Sequence, residues 1–125
     1  MEVYDYYENK WTYLPGINDK RRNHAAVSMG NKLFVIGGSR ISSCEVFDSC
    51  SRIFININSE MKVSALERNY FKAFCVGSNI VVFHHSGSFK SVIYVYDVNE
   101  LSWSTVDCSY TKNYFVPSCI KYYVQ

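Results

Sequence analysis

The sequence has little excess charge of either sign. Its 125 residues include 13 Lys and Arg against 11 Asp and Glu, a net charge of +2. Such a balance leaves no strong electrostatic footprint for naked nucleic acid. Long apolar runs are also missing. Stretches such as Ile80 to Phe83 are far too short to span a bilayer. The start, Met1-Glu2-Val3-Tyr4-Asp5, lacks the basic and apolar regions of a signal peptide. No Asn-x-Ser/Thr sequon occurs. The 5 cysteines (Cys44, Cys50, Cys75, Cys108 and Cys119) are odd in number, and none pairs at C-x-x-C spacing. This argues against a disulfide framework or a zinc site and for free thiols in a reducing compartment. Together these absences set the expectation of a soluble, cytoplasmic protein with no membrane or nucleic-acid partner.

Catalytic signatures are lacking too. There is no Gly-x-Ser-x-Gly, His-Glu-x-x-His or phosphate-binding glycine loop. Cys44, Cys75 and Cys119 lie in or beside apolar strands, where a thiol packs inertly. No enzyme activity and no cofactor are expected. Nor does any stretch show a 3.6-residue apolar period, which excludes a helical fold.

What the chain does have is aromatic residues, 17% of the total with 11 Tyr and 8 Phe, and these favour strands. They also repeat. An aromatic-Asp pair followed by an aromatic six residues after the Asp occurs three times: Tyr4-Asp5 with Trp11, Phe47-Asp48 with Phe54, and Tyr96-Asp97 with Trp103. The steps between the Asp residues are 43 and 49. Residues 30–39 match residues 77–86 at an offset of 47, and Arg68-Asn69-Tyr70-Phe71 matches Lys112-Asn113-Tyr114-Phe115 at 44. A period in the 40s with four short strands per unit fits propeller blades. The first unit predicts strands at Ala25 to Met29, Lys32 to Ile36, Ser43 to Phe47 and Arg52 to Ile57. The second predicts Lys72 to Val76, Asn79 to Phe83, Val92 to Tyr96 and Ser102 to Val106.

The double glycine Gly37-Gly38, then Phe47-Asp48, then the aromatic at 54 resembles the kelch repeat, marked by a double Gly, a Tyr-Asp and a later Trp. The resemblance covers essentially the whole chain. It implies an all-β, kelch-type propeller fragment of four-stranded antiparallel blades, two full and two partial. Residues 3–17 would end one blade, 18–61 and 62–112 would form full repeats, and 113–125 would open a fourth. The motif residues carry structural roles in this reading. The glycines permit a crowded strand exit, the strand-four aromatic packs blade on blade, and the Asp accepts hydrogen bonds from turn amides. The second repeat departs from the pattern: His84-His85 replaces Gly-Gly. Neighbouring strand residues point to opposite faces and converge poorly on one metal ion, so a drifted turn without metal is expected there.

In kelch-like adaptors the loop before strand one and the loop after the double Gly form the partner-binding face. Carried over, those positions are Arg22, Asn23 and His24, then Ser39, Arg40 and Ile41. In the second repeat they are Asn69 and Tyr70, then Ser86, Ser88, Phe89 and Lys90, and in the last Asn113 and Tyr114. The basic run Lys20-Arg21-Arg22 could bind acidic partners; its plainer reading is a solvated loop with one Arg bridging blades. The resemblance implies a protein-interaction module, the substrate-recognition part of an adaptor for a cullin-RING ubiquitin ligase. The cullin would be held only by a BTB domain, which this chain does not contain. The alternative is an actin-binding module of the cytoskeleton. Two full and two partial blades cannot close a ring and leave strand edges exposed. The expectation is a piece of a longer array, or a chain that completes its ring by oligomerising.

Overall fold

Every described strand pairs antiparallel with its neighbour in sequence, so the chain meanders in blades. The computed structural model describes residues 1–57, 61, 69–86 and 91–106. Strands β1 (Glu2–Asp5) and β2 (Lys10–Tyr13) form a two-stranded hairpin. Strands β3 (Ala25–Met29), β4 (Lys32–Gly38), β5 (Ile41–Asp48) and β6 (Ile53–Ile57) make one four-stranded sheet. Strands β7 (Asn69–Val76), β8 (Asn79–Ser86), β9 (Ser91–Asp97) and β10 (Ser102–Val106) make another. The fold is thus all-β, with propeller-type blades.

The aromatic-Asp spacing becomes geometry at three hairpins. Tyr4 faces Trp11, Phe47 faces Phe54 and Tyr96 faces Trp103 across the strand pair. Their ring centroids lie 5.1, 5.0 and 4.9 Å apart, each pair tilted by about the same angle, a favourable cross-strand contact. The Asp at each turn accepts two backbone N–H bonds through one oxygen. Asp5 takes Tyr7 and Glu8, Asp48 takes Cys50 and Ser51, and Asp97 takes Asn99 and Glu100, at 2.8 to 3.2 Å. The fourth residue after each Asp, Asn9, Arg52 or Leu101, turns left-handed with φ of 50°, 57° or 52°. Four turn residues then put the aromatics opposite one another, which is why the spacing is six.

The sheets stack through one apolar cluster. Cross-strand partners share a side of the sheet, so the pairing assigns each residue to a face. Ala25, Phe34, Ile36 and Cys44 of the first blade meet Phe71, Ile80, Val82, Tyr94 and Tyr96 of the second. Phe34 and Tyr96 bring their rings within 6.2 Å. Inner strands β3 and β7 adjoin, and the Cys75 thiol spans them to the Ser28 carbonyl at 3.1 Å.

The two repeats leave their second strands differently. In β4 the ladder shifts register between Ile36 and Gly38, and Gly37 and Gly38 take φ of 61° and 149°. A Cβ on Gly37 would lie 2.6 Å from the Phe71 ring of the next blade. The drifted turn expected at His84-His85 does not form. β8 runs straight through both residues, pairing His84 with Phe71 and Val92, and His85 with Tyr70 and Ser91. Both residues keep regular strand pairing, and the His84 side chain stacks on Phe71 of its own blade at 5.0 Å. This also explains why β7 and β8 extend beyond the predicted Lys72 and Phe83 limits.

Gly30 and Gly37 share a left-handed φ, but only Gly37 is crowded. Gly30→Ala should cost about 1 kcal/mol from backbone strain alone. Gly37→Ala should cost about 3 kcal/mol, since the Phe71 ring must also move. Urea unfolding of the two variants measures the difference, and equal costs would show that the ring accommodates freely.

Candidate partner-binding face

The loops at one end of the first blade are organised by a buried ion pair. The side chains of Arg21 and Glu45 are both completely buried, with Arg21 Nη2 2.8 Å from Glu45 Oε1. Arg21 Nε donates to the same oxygen at 3.2 Å. Glu45 Oε2 accepts from the backbone N–H of Asn18 at 2.7 Å and from its side-chain amide at 2.8 Å. Arg21 Nη1 donates to the carbonyls of Gly37 and Ser43 at 3.0 and 2.6 Å. One guanidinium therefore ties the segment before β3 to the end of β4 and the start of β5. Burial alone would raise the Glu45 pKa. The Asn18 N–H, the Arg21 hydrogen bond, the Asp19 N–H and the Arg21 charge outweigh it and hold the carboxyl below the ordinary glutamate range. Charged groups this deep persist only when fully bonded.

Lys20 and Arg22 of the run Lys20-Arg21-Arg22 are exposed, as a solvated loop predicts, but the expected Arg bridging blades is not what Arg21 does. Arg21 is buried, and its partners lie within its own blade or the segment leading into it. Sequence reasoning missed Glu45 altogether. Its signal was an acid in the middle of the apolar strand Cys44-Glu45-Val46-Phe47, a position that demands a buried cation.

Anchored by this pair, the expected contact residues come to the surface. Arg22, Asn23, His24 and Arg40 are exposed, and Ser39 is half-buried. The Ser39 N–H donates to the Arg22 carbonyl at 2.7 Å and locks the two loops together. Asn23 and Arg40 hold left-handed φ of 56° and 66°, a cost typical of loops whose shape is imposed by their surroundings. Asn23 and His24 of the first blade then meet Tyr70, Phe71, Lys72 and Phe83 of the second around a cleft of about 160 Å³. Tyr70 stands at its edge, half-exposed.

Asn69 does not belong on this face. It is only 1% exposed, and its Oδ1 lies 2.8 Å from His84 Nε2. An amide oxygen can only accept, so Nε2 carries the proton. His84 is buried and His85 half-buried, on opposite sides of β8, and they do not converge. Among the described residues no group of three His, Cys, Asp or Glu is placed to hold a metal. Phe89, Lys90, Ser88, Asn113 and Tyr114 lie outside the described residues, as does the Ser86 side chain. The face as described offers positive charge, amide and hydroxyl hydrogen-bonding groups and aromatic area, the equipment of an interaction surface.

Comparison with known proteins agrees with this architecture. Residues 20–59 match the family model described as Kelch motif. Over 50 residues the chain is 43% identical to human Kelch-like protein 38, which covers 39% of this chain and 9% of that protein. The mouse and rat proteins match equally. An F-box/kelch-repeat protein of Arabidopsis thaliana is 30% identical over 110 residues, 84% of this chain and 28% of that protein. The chain thus spans a minor part of the length of each relative.

If Glu45 holds the loops as described, Glu45→Gln should cost about 3–5 kcal/mol, because it leaves the Arg21 charge buried without a counter-ion. The depressed pKa adds a pH signature. Its contribution is complete above the ordinary glutamate range and drains away as pH falls through the lower, folded value. Urea midpoints across acid pH should therefore fall more steeply for the wild type than for Glu45→Gln. Parallel curves would remove the ion pair from the stability of this blade.

Proposed function

We propose that this chain, which belongs to the kelch repeat family, captures a protein partner on the face formed by Arg22, Asn23, His24, Ser39, Arg40 and Tyr70. One observation carries the proposal: loops from two successive blades converge on a single cleft, with Asn23 and His24 on one side and Tyr70 on the other. A rigid sheet scaffold with recognition groups in its loops suits macromolecular binding. Kelch repeats indicate protein partners in general. The finer reading is a substrate-recognition unit for a cullin-RING ubiquitin ligase in the cytoplasm, with the cullin contacted only through a BTB domain on another segment or chain. The likeness to Kelch-like protein 38, and a second relative whose name pairs kelch repeats with an F-box, support it.

The test begins with partners retained by the tagged chain but lost by Tyr70→Ala and Arg40→Ala. A control variant at the opposite end of the blade, Glu100→Ala, should retain them. Binding that survives both loop substitutions places the contact elsewhere. A true ligase substrate should then be stabilised in cells by excess of this chain, which occupies it without a cullin. An unchanged half-life would count against the ligase reading. Co-sedimentation with filamentous actin, abolished by the same loop variants, would favour the cytoskeletal alternative.

A further inference from the structure

The loop face is not electrically neutral. At the end of the blades where β3 and β7 begin, Arg22 and Arg40 are exposed, and so is Lys72 beside the cleft. Arg22 and Arg40 adjoin, because the Ser39 N–H donates to the Arg22 carbonyl. Among the described residues none of these three cations has an ionic partner. The acids of the same loops are already engaged. Glu45 is wholly buried against Arg21, and Asp19 lies 3.4 Å from the same guanidinium. Asp19 Oδ2 also accepts the Ser43 hydroxyl at 3.1 Å. The carboxylates of Asp48, Asp97 and Glu100 sit at the opposite end, where β5 and β9 finish. In sequence, residues 62–68 before β7 and 87–90 between β8 and β9 carry Lys62, Arg68 and Lys90 against Glu67. The small net charge of the chain thus hides an uneven distribution, with its free cations gathered around the cleft.

The cleft adds a limit on size and a demand for apolar contact. Phe71 and Phe83 line it with aromatic surface, and exposed Asn23, His24 and Lys72 surround it with half-exposed Tyr70. The Phe71 ring is fixed by the close approach of Gly37 and by stacking on His84, so this wall is formed in advance. At about 160 Å³ the cleft falls below the roughly 300–1,000 Å³ of sites that enclose a small molecule. It has room for one side chain of a larger partner.

We infer that the face docks a linear acidic segment of a partner protein. One apolar side chain of that segment enters the cleft between Asn23 and His24 on one side and Tyr70 on the other. Its carboxylates meet Arg22 and Arg40 on one flank and Lys72 on the other. An arginine fork takes a carboxylate through two parallel N–H bonds, and complementary charge of this kind selects the partner. A nucleic acid would engage the cations and leave the aromatic cleft empty. The inference rests on the proposed protein-binding face and adds the chemistry of what fills it.

A library of random linear peptides panned on the full 125-residue chain supplies the probe. Retained peptides should combine two or more Asp or Glu with one aliphatic or aromatic residue, and their binding should weaken as salt is raised. Arg22→Ala and Arg40→Ala should each weaken a retained peptide about 2–5-fold, the range of an exposed ion pair. Replacing the apolar residue of the peptide by Ala should weaken it about tenfold or more. Lys32→Ala, the same loss of charge at the opposite end, should change nothing. Arg40→Glu should reject the acidic peptide and accept a version with Lys in place of one acid, at an unchanged circular dichroism spectrum. Should Arg40→Glu fail to fold, Arg22→Glu takes its place. Retained peptides that lack acids but are still weakened by Tyr70→Ala and Arg22→Ala overturn the inference and leave the protein-binding face standing. Peptides indifferent to Tyr70→Ala, Arg22→Ala and Arg40→Ala remove the face and the inference together. A library that yields no binder overturns the inference as well, because a linear segment is then not what the face holds.

Discussion

The salt bridge between Arg21 and Glu45 is the contact on which the loop face rests. It brings three separate pieces of chain to one point: the segment at Asn18 and Asp19, the carbonyl of Gly37, and the backbone and hydroxyl of Ser43. Buried ion pairs contribute little net stability, because desolvation offsets most of the attraction. Their value here is geometric. A guanidinium has a planar fork of donors, and this one spends its donors on acceptors from β4, β5 and the preceding segment. An apolar pair of similar volume would fill the space without fixing how the loops approach each other.

The double glycine follows from the same crowding seen from the next blade. Gly37 leaves room for the Phe71 ring while its carbonyl serves Arg21. In the second blade the equivalent position is His84, whose imidazole lies on the side of the sheet facing the first blade, stacked on Phe71 and bonded to Asn69. The two repeats therefore leave their second strands in two ways. The first removes side chains and bends the strand, whereas the second inserts a polar ring and keeps the strand straight.

Much of the fold was legible because it rests on local spacing. The aromatic-Asp-aromatic pattern encodes a hairpin register directly, and β3 and β10 have the predicted ends. The contact face was legible only in part. Asn23, His24 and Tyr70 come together as expected, but Asn69, their neighbour in sequence, points inward to an imidazole. Alternation along an edge strand cannot say which parity faces solvent until the neighbouring blade is placed. Arg21 and Glu45 were hidden for a related reason. Each looks ordinary in its own segment, and the pairing spans 24 residues.

The three turn aspartates have a consequence for how the chain acquires its shape. Each hairpin closes over a handful of residues, with its turn amides already satisfied by the Asp carboxylate and its aromatic pair in contact. Closing so short a loop sacrifices little chain entropy, and isolated hairpins form within about 1–10 μs. The Arg21 to Glu45 link and the blade-on-blade contact at Cys75 and Ser28 join residues far apart in sequence, and such non-local contacts form slowly. The hairpins are thus the earliest footholds of folding. The loop face is assembled last, and only once the segments joined by the ion pair have found one another.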